Sequence, residues 1–352
     1  MHKRTPKTTP PAGNGEAFAA IDLGTNNCRM LIARPTPVSG QCDTGFSVID
    51  SFSRIVRLGE GIHNNDCLDE KAQRRTLSAL KACAGKLRKN RVARVRAVAT
   101  EACRRAKDSE QFLGRVRDET GIHLEPITPA EEAELTLRGC QPLLDPTKPR
   151  TLLFDIGGGS TEVIWIDTTA PHNNGTQKST IIAMQSLPIG VVTVAERFGG
   201  TGTLSDADCE TILNEVDCAL HPFDAEHNIR KSIEDGTVHM IGTSGTVTSL
   251  GGVFLELDRY DRSRVDGMEM DFSDITSASM RLKSMSTTER EAHPCIGHGR
   301  ADLSLPGCAI LAAILRRWPV GQLRAADRGI REGILLDLMA GYTSNGAIGA
   351  TQ

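Results

Sequence analysis

Two stretches of the sequence follow the same pattern 133 residues apart. AIDLGTNN begins at Ala20 and LFDIGGGS begins at Leu153, and in each an apolar run ends in an Asp that is followed by an apolar residue and a Gly. Glycines at the end of an apolar strand allow a tight loop without side chains. A pattern that recurs with one offset predicts a duplicated fold, in which two related halves present two such loops to each other.

The elements predicted around these stretches also repeat. In the first half, short apolar or alternating runs predict strands, and helical spacing predicts helices; the strands cover residues 17–24, 28–35, 46–58 and 95–100, and the helices 68–90 and 108–120. In the second half the predicted strands cover 150–158, 161–167, 179–187 and 237–245, and the helices cover 205–223, with Ser205 or Asp206 as the cap, and begin again at 246. A helix over 130–140 and a Pro-containing linker over 141–150 join the halves. Both halves follow the order β-β-β-α-β-α, so the predicted fold class is α/β.

This repetition predicts four segments. We expect a disordered tail over residues 1–16, a first domain over 17–129, a second over 130–326, and a C-terminal helix over 327–345 that packs back on the first domain. A chain of 352 residues with 39% hydrophobic residues is long enough for two such cores. It contains no apolar run of about 18 residues, so we expect no membrane span.

The spacing of the cysteines and the distribution of charge indicate the cellular compartment and the kind of partner that we expect. Ten cysteines are scattered without a Cys-x-x-Cys pair, which indicates free thiols in a cytoplasmic protein and not a disulfide scaffold. Residues 71–120 carry 15 Lys and Arg against 5 Asp and Glu, although the whole chain has a net charge of −3. This basic segment is either a solvated helix surface or a face that attracts a polyanion. We favour a polyanion as partner and expect neither a membrane nor a specific nucleic acid sequence.

The glycine loops suit an anion and a hard metal ion. Backbone N–H groups of residues 157–161 can converge on phosphate oxygens because no Cβ blocks their approach. Residues 242–246 are rich in Gly and Thr and precede a predicted helix, whose N-terminus would attract an anion. Asp155 and Glu162, at the two ends of the second hairpin, can hold Mg²⁺, which takes one or two carboxylates together with waters and phosphate oxygens. For one loop alone, a Gly-rich hairpin with a capping Asp is the alternative.

Segments along most of the chain resemble the exopolyphosphatase and guanosine pentaphosphate phosphatase (Ppx/GppA) family, in its short, two-domain type. The resemblance runs from about Phe18 to Met339 and rests on AAIDLGTNNCRMLIA, VRLGEGI, AVATEACRRA, EEAEL, FDIGGGSTEV, SLPIGVVTVAERF, IGTSGTVTSLGG, GRADLSLPGCAILAAIL and DRGIREGILL. It implies the ribonuclease H-like fold of acetate kinase, sugar kinases and actin, with two α/β domains that close on a cleft. It also implies Mg²⁺-dependent hydrolysis of a terminal phosphoryl group.

The resemblance assigns roles to individual residues. Glu132 in EEAEL falls on the family's general base, and Arg104 falls on a basic residue that lines the catalytic site. Asp155 and Glu162 fall on acidic, metal-associated positions, and Asp22 joins them as the counterpart of Asp155 in the first loop. The resemblance places phosphate contacts at Gly24, Thr25, Asn26, Gly157, Gly158, Gly159, Ser160 and Thr161. The chemistry of the residues themselves adds Arg29, whose guanidinium can contact a phosphate, and Gly242, Thr243, Ser244, Gly245 and Thr246 before the predicted helix.

The sequence departs from the family pattern near these positions. The first loop has Thr-Asn-Asn at residues 25–27 where the family commonly has Ser-Asn-Ser, and residues 128–130 are Thr-Pro-Ala where it often has Ser-Gly. Glu134 stands where the usual motif carries Arg. The last two departures question the local charge and the placement of substrate near Glu132, but not the base itself.

Three functions remain open at this point. An exopolyphosphatase would remove orthophosphate from the ends of inorganic polyphosphate, and for the short type we expect a preference for shorter chains. A phosphatase that trims guanosine pentaphosphate (pppGpp), a stringent-response nucleotide, would present a terminal phosphoanhydride to the same loops. A kinase or a nucleotide-driven scaffold of the actin type would use the loops for a nucleotide. A homodimer is also left open.

Overall fold

The computed structural model describes residues 16–36, 45–169, 179–200, 202–297 and 299–346, which form two mixed β-sheets flanked by helices. Apart from Glu16, the predicted N-terminal tail lies outside these residues. None of the helices in this part of the chain is long and apolar enough to cross a membrane.

The first sheet is built from the first 126 residues of the chain. Its strands are β1 (Ala17–Leu23), β2 (Asn27–Pro35), β3 (Phe46–Ile55), β4 (Val92–Ala99) and β5 (Leu124–Pro126). The accompanying helices are α1 (Ile62–Asn65), α2 (Glu70–Lys89), α3 (Glu101–Arg105), α4 (Ser109–Thr120) and α5 (Pro129–Cys140). The strands lie in the order β3-β2-β1-β4-β5, with β2 antiparallel to β1 and β4 parallel to it.

The second sheet follows a short 3₁₀ turn, Gln141–Leu143. Its strands are β6 (Arg150–Ile156), β7 (Thr161–Asp167), β8 (Thr180–Leu187), β9 (Val238–Thr243), β10 (Glu269–Asp271) and β11 (Gln322–Ala326). The helices are α6 (Val191–Arg197), α7 (Asp206–His227), α8 (Ile229–Glu234), α9 (Gly245–Phe254), α10 (Arg262–Val265), α11 (Phe272–Ser284), α12 (Thr287–Ala292), α13 (Ala301–Arg317) and α14 (Ile330–Gly346).

The two sheets share one topology. The order β8-β7-β6-β9-β11 in the second sheet repeats β3-β2-β1-β4-β5 in the first, and β10 adds an antiparallel strand at the edge beside β11. In both sheets the first two strands form an antiparallel hairpin, and the fourth strand runs parallel to the first. The predicted duplication of an α/β fold is therefore confirmed.

The order β-β-β-α-β-α is incomplete, because it leaves out the fifth strand of each half. In the first half this strand is Leu124–Pro126, where only Leu124 is buried, so three residues show no alternation that a pattern could reveal. Pairing with β4 makes the segment a strand. The predicted helices agree more closely: Ser205 caps α7 by accepting a hydrogen bond from the Asp208 N–H at 3.1 Å, and Leu77 and Leu80 of α2 are buried as their spacing predicts.

The last helix lies on the first sheet. Ile330, Ile334, Leu335 and Met339 of α14 share one core cluster with Phe18 and other buried residues of the first sheet. Most of the second sheet packs in a separate, larger cluster. The exact domain boundaries stay predictions.

The basic segment at residues 71–120 lies on α2, β4, α3 and α4. Several of its side chains already have carboxylate partners, such as Lys81 with Glu119 at 2.6 Å and Lys86 with Asp50 at 2.6 Å. Its attraction for a polyanion therefore stays a prediction.

Candidate active site

The candidate active site is a cavity of about 140 Å³ lined by the loops that follow β1, β6 and β9. Each of these strands lies in the interior of its sheet. β1 runs parallel to β4, β6 to β9, and β9 to β11. Loops at the carboxyl ends of such strands are the usual ligand-binding position in open α/β sheets. The duplicated sheets therefore bring the two glycine loops to one place.

The two hairpins carry charged residues at equivalent positions of their strands. Asp22 in β1 pairs with Arg29 in β2, and Asp155 in β6 pairs with Glu162 in β7. The first strand of each hairpin therefore carries an Asp at this position. The second strand carries a positive charge in one hairpin and a negative charge in the other.

Close approach explains the glycines of the second loop. A Cβ on Gly158 would lie 3.1 Å from the Asn26 nitrogen, and a Cβ on Gly159 would lie 2.8 Å from Thr25 Oγ1. None of the glycines at residues 157–159 has a positive φ, so unusual backbone angles are not the reason for them. The two loops thus touch directly, and side chains in the second would push them apart.

Most of the predicted contacts line this cavity. They are Asp22, Gly24, Thr25, Asn26, Arg29, Glu132, Asp155, Gly157, Gly158, Gly159, Ser160, Ser244, Gly245 and Thr246. Thr243 lines only a second cavity, of about 620 Å³, which shares Asp22, Arg29 and Asp155 with the first.

The other four predicted residues line neither of these cavities, and each has another contact. The Thr161 hydroxyl donates to the Ile189 carbonyl at 2.6 Å, and the Glu162 carboxylate accepts from the Ser186 hydroxyl at 2.8 Å. A Cβ on Gly242 would lie 2.6 Å from the ring of Phe154, so this glycine serves packing of the strand. The fourth residue is Arg104, whose contacts are described with Glu132 below.

Glu132 projects from the first turn of α5. The Thr128 side chain caps this helix by accepting from the Glu131 N–H at 3.2 Å, and Pro129 occupies the first turn, where a missing N–H costs nothing. The Thr-Pro departure from the family pattern therefore makes a sound helix start beneath Glu132. Glu134 is exposed and lines a different cavity, so its charge faces away from the site.

Glu132 is only 7% exposed, and its carboxylate accepts a hydrogen bond from Arg104 Nη1 at 2.7 Å. Burial, and then the nearby charge of Glu162, raise the pKa of Glu132 well above its usual value, while Arg104 lowers it. The same guanidinium donates to the Ile127 carbonyl at 2.9 Å and to Glu101 Oε2 at 3.0 Å. Arg104 therefore holds Glu132 in place. It was predicted to line the site, but it does not line the cavity.

The acidic residues at the cavity suit a hard cation. Burial raises the pKa of Asp22, and burial together with the charge of Glu162 raises the pKa of Asp155 to about 7. Asp22 Oδ1 is buried without a hydrogen-bond partner, and so are the side-chain oxygens of Asn26 and Asn27 in the same loop. Such oxygens and crowded carboxylates are satisfied by a divalent ion with oxygen ligands, of which Mg²⁺ is one.

Across the described residues, no group of three or more His, Cys, Asp or Glu side chains is arranged to hold a metal ion. The three predicted ligands therefore do not form one closed set. Mg²⁺ needs only one or two protein carboxylates when phosphate and water complete its shell, so Asp22 and Asp155 in the cavity wall fit the ion.

Comparison with known proteins shows which family the chain belongs to. Residues 32–341 match the Ppx/GppA phosphatase family. The chain belongs to this family. Exopolyphosphatase 2 of Mycobacterium tuberculosis is 30% identical over 329 residues, which are 91% of this chain and 98% of the relative.

Solved structures agree with the assignment. The Aquifex aeolicus member of the Ppx/GppA family is 26% identical, with a TM-score of 0.70 over 93% of this chain and 98% of its own. An exopolyphosphatase from Cytophaga hutchinsonii has a TM-score of 0.79 at 24% identity, with coverage of 93% and 98%, and supports the fold alone. Ppx/GppA proteins have the actin-like ATPase fold, so the predicted fold class is confirmed.

Sequence reasoning missed one basic residue of this Ppx/GppA site. Arg300 lines both cavities, and so does Arg29. Within the described part of the chain, neither guanidinium has a carboxylate at ion-pair distance. Burial, and then the charge of Arg29, lower the pKa of Arg300. Two arginines that line one cavity without an ion pair are suited to contact an anion. A basic residue directly after a Gly-rich loop, and before a helix, was the signal that could have found Arg300.

The pKa of Asp155 predicts how stability depends on pH when no metal is bound. Between about pH 4 and pH 7 the native state keeps a proton that the unfolded chain has lost, so stability falls as pH rises. The loss from this residue approaches about 4 kcal/mol at most. We expect Asp155→Asn to flatten the decline in the free energy of unfolding between pH 5 and pH 8, measured by urea titration with a chelator. An unchanged decline would contradict the raised pKa.

Proposed function

We propose that this protein is an exopolyphosphatase, which hydrolyses the terminal phosphoanhydride of inorganic polyphosphate and releases orthophosphate. The family and the mycobacterial relative named an exopolyphosphatase support this proposal. The observation that carries it is the position of Glu132, which is buried in the wall of the same cavity as both glycine loops. A buried carboxylate beside a phosphate-binding cavity is suited to take a proton from an attacking water.

The terminal phosphoryl group would lie between the two loops. Their backbone N–H groups would donate to its oxygens, while Arg29 and Arg300 would offset its negative charge. Glu132 would accept a proton from water as the water oxygen bonds to the terminal phosphorus. The bond from this phosphorus to the bridging oxygen would break, and the shortened chain would leave with that oxygen. Arg104 would hold the base in position throughout.

Asp22 and Asp155 would hold Mg²⁺, and Glu162 would contribute negative charge from behind Asp155. When bound, the ion would offset the charge of the phosphate oxygens. The protein's own contribution at this position is a pair of buried carboxylates that are costly to ionise without a cation.

A phosphatase for pppGpp is the second candidate, and the larger cavity favours it. This cavity meets the first at Arg29 and Arg300, so the part of the substrate behind the terminal phosphate would enter it. Phe52 and Tyr260 are also in its lining, and aromatic faces stack well on bases. A polyphosphate chain would use the same space without stacking.

Release of orthophosphate in the presence of Mg²⁺ tests the proposal, with polyphosphate and pppGpp in parallel and ATP as a third substrate. We expect polyphosphate to be hydrolysed fastest. Cleavage of pppGpp alone would replace the first candidate by the second. Turnover of ATP alone would replace both by the kinase or scaffold reading of the same fold.

A further inference from the structure

The segment after β3 supports the first phosphate loop through its backbone. The N–H groups of Val56 and Arg57 donate to the Asn26 carbonyl at 2.8 and 3.0 Å, and the Gly59 N–H donates to the Thr25 carbonyl at 3.0 Å. Any movement of this segment therefore moves the loop.

The side chain of Arg57 reaches in the opposite direction, to the second half of the chain. Its Nη2 donates to Asp302 Oδ2 at 2.7 Å and to the Gly299 carbonyl at 3.3 Å. The packing there is close, since a Cβ on Gly299 would lie 2.9 Å from Ile55 Cδ1. The ion pair is partly shielded, with the Arg57 and Asp302 side chains 33% and 19% exposed. One residue thus connects the two sides of the cleft.

The backbone of Arg57 is held in an unfavourable conformation. Its φ is +48°, in the left-handed region that a non-Gly residue rarely adopts. Such conformations cost free energy, persist where the surroundings determine them, and concentrate at functional sites. A glycine would satisfy the backbone here but would provide no guanidinium.

Arg300 lies between the two groups that Arg57 contacts. Gly299 precedes it, and Asp302 follows two residues later at the start of α13. Arg300 itself lines both cavities and has no ion pair among the described residues. On the far side of the turn, Arg290 Nε donates to the Ala301 carbonyl at 3.3 Å. Arg57 and Arg290 therefore hold this turn from two sides, and only Arg57 belongs to the half that carries the first loop.

We propose that Arg57 is a positioning residue that sets the place of Arg300 relative to the first phosphate loop. When the two halves come together, the Arg57 side chain fixes the 299–302 turn, and its backbone fixes the loop, so Arg300 and the loop meet the same phosphate oxygens. This inference rests on the proposed function, because it assumes that a phosphate chain occupies the cavity. Arg57 does not line the cavity and acts through Arg300.

A double-mutant cycle tests the proposal. The variants are Arg57→Gly, Arg300→Ala and the double variant, with Asp302→Asn to break the same contact from the other side. Two quantities are measured for each: kcat and KM on the substrate that the wild type hydrolyses fastest, and the Kd of inorganic tripolyphosphate by calorimetry. Glycine accepts the left-handed backbone, so Arg57→Gly is expected to fold with an unchanged melting temperature.

We expect Arg57→Gly and Asp302→Asn each to lower kcat/KM by about tenfold and to weaken tripolyphosphate binding by a similar factor, since small displacements of binding groups are costly. The double variant should be no worse than Arg300→Ala alone, because Arg57 has nothing left to position. Arg281→Ala, which breaks an exposed pair with Glu256 at 2.8 Å, is the matched control and should leave both quantities unchanged.

Losses that multiply in the double variant would overturn the proposal, and so would an Arg57→Gly protein that equals the wild type. If the wild type hydrolyses neither polyphosphate nor pppGpp, the proposed function fails, but the calorimetric cycle still decides the role of Arg57. The two failures are therefore distinguishable.

Discussion

Glu132→Gln is expected to lower kcat by about 10²- to 10⁴-fold, the usual contribution of a general base. Glutamine keeps the shape of the side chain and can still contact Arg104, so substrate binding and KM should change little. It cannot accept a proton from water. The measurement is orthophosphate release at saturating substrate and Mg²⁺.

Glu131→Gln is the matched control. Glu131 is the next residue on the same helix, but its carboxylate pairs with Arg96 away from the cavity, so its loss should leave kcat unchanged. A Glu132→Gln protein with the rate of the wild type would remove Glu132 from the mechanism. Equal losses in both variants would point to damage of α5.

The pH dependence of the hydrolysis rate tests the role of Glu132 in a second way. Because burial raises the pKa of Glu132, the wild-type rate should fall as the pH drops through that raised value and the base becomes protonated. In Glu132→Gln this acid limb should disappear. An acid limb that persists unchanged would belong to another group, such as Asp155.

Arg290→Met is expected to lower the free energy of unfolding by about 3 kcal/mol or more, because several buried carbonyls would lose their donors. Arg290 is 1% exposed and donates to the carbonyls of Leu282 at 3.1 Å, Met285 at 2.7 Å and Ala301 at 3.3 Å, and also to that of Gly202. Methionine fills much of the same volume, so the loss reports the hydrogen bonds. Denaturant titration measures it.

Arg281→Met provides the comparison, since this arginine pairs with Glu256 on the surface, where both side chains are 48% and 73% exposed. Exposed pairs contribute little, so its free energy of unfolding should stay within about 0.5 kcal/mol of the wild type. Similar losses in both variants would show that the buried carbonyls find other donors. In that case the hydrogen bonds of Arg290 would not be essential for the stability of the fold.

The sequence pattern predicted the two hairpins whose loops line the cavity, and much of their surroundings. Alternation and apolar runs predicted β1, β2, β6 and β7, because these strands are long and buried, and local patterns suffice for such elements. The offset between Asp22 and Asp155 predicted the duplication. The resemblance to the family singled out Glu132, which sequence reasoning alone could not distinguish from a solvated helical residue.

Some of the predicted site residues do not line the cavity, because a residue in a motif need not face it. Ser160 lies in the loop and lines the cavity, whereas Thr161 begins β7 and its hydroxyl donates to the Ile189 carbonyl. Gly242 stands in a phosphate-like motif but serves the ring of Phe154. These distinctions depend on side-chain direction and neighbours, which a motif does not contain.

The sequence by itself determined which chemical groups are available: two Asp-x-Gly loops, a pair of glutamates in a predicted helix and an α/β framework with its duplication. Only the tertiary structure decided which of these groups meet. Arg104 contacts Glu132 and does not line the cavity, while Arg57 contacts the turn that carries Arg300, more than 240 residues away in the chain. The physical reason is that local patterns follow from interactions between near neighbours in the chain, whereas a site between two sheets depends on contacts between distant residues.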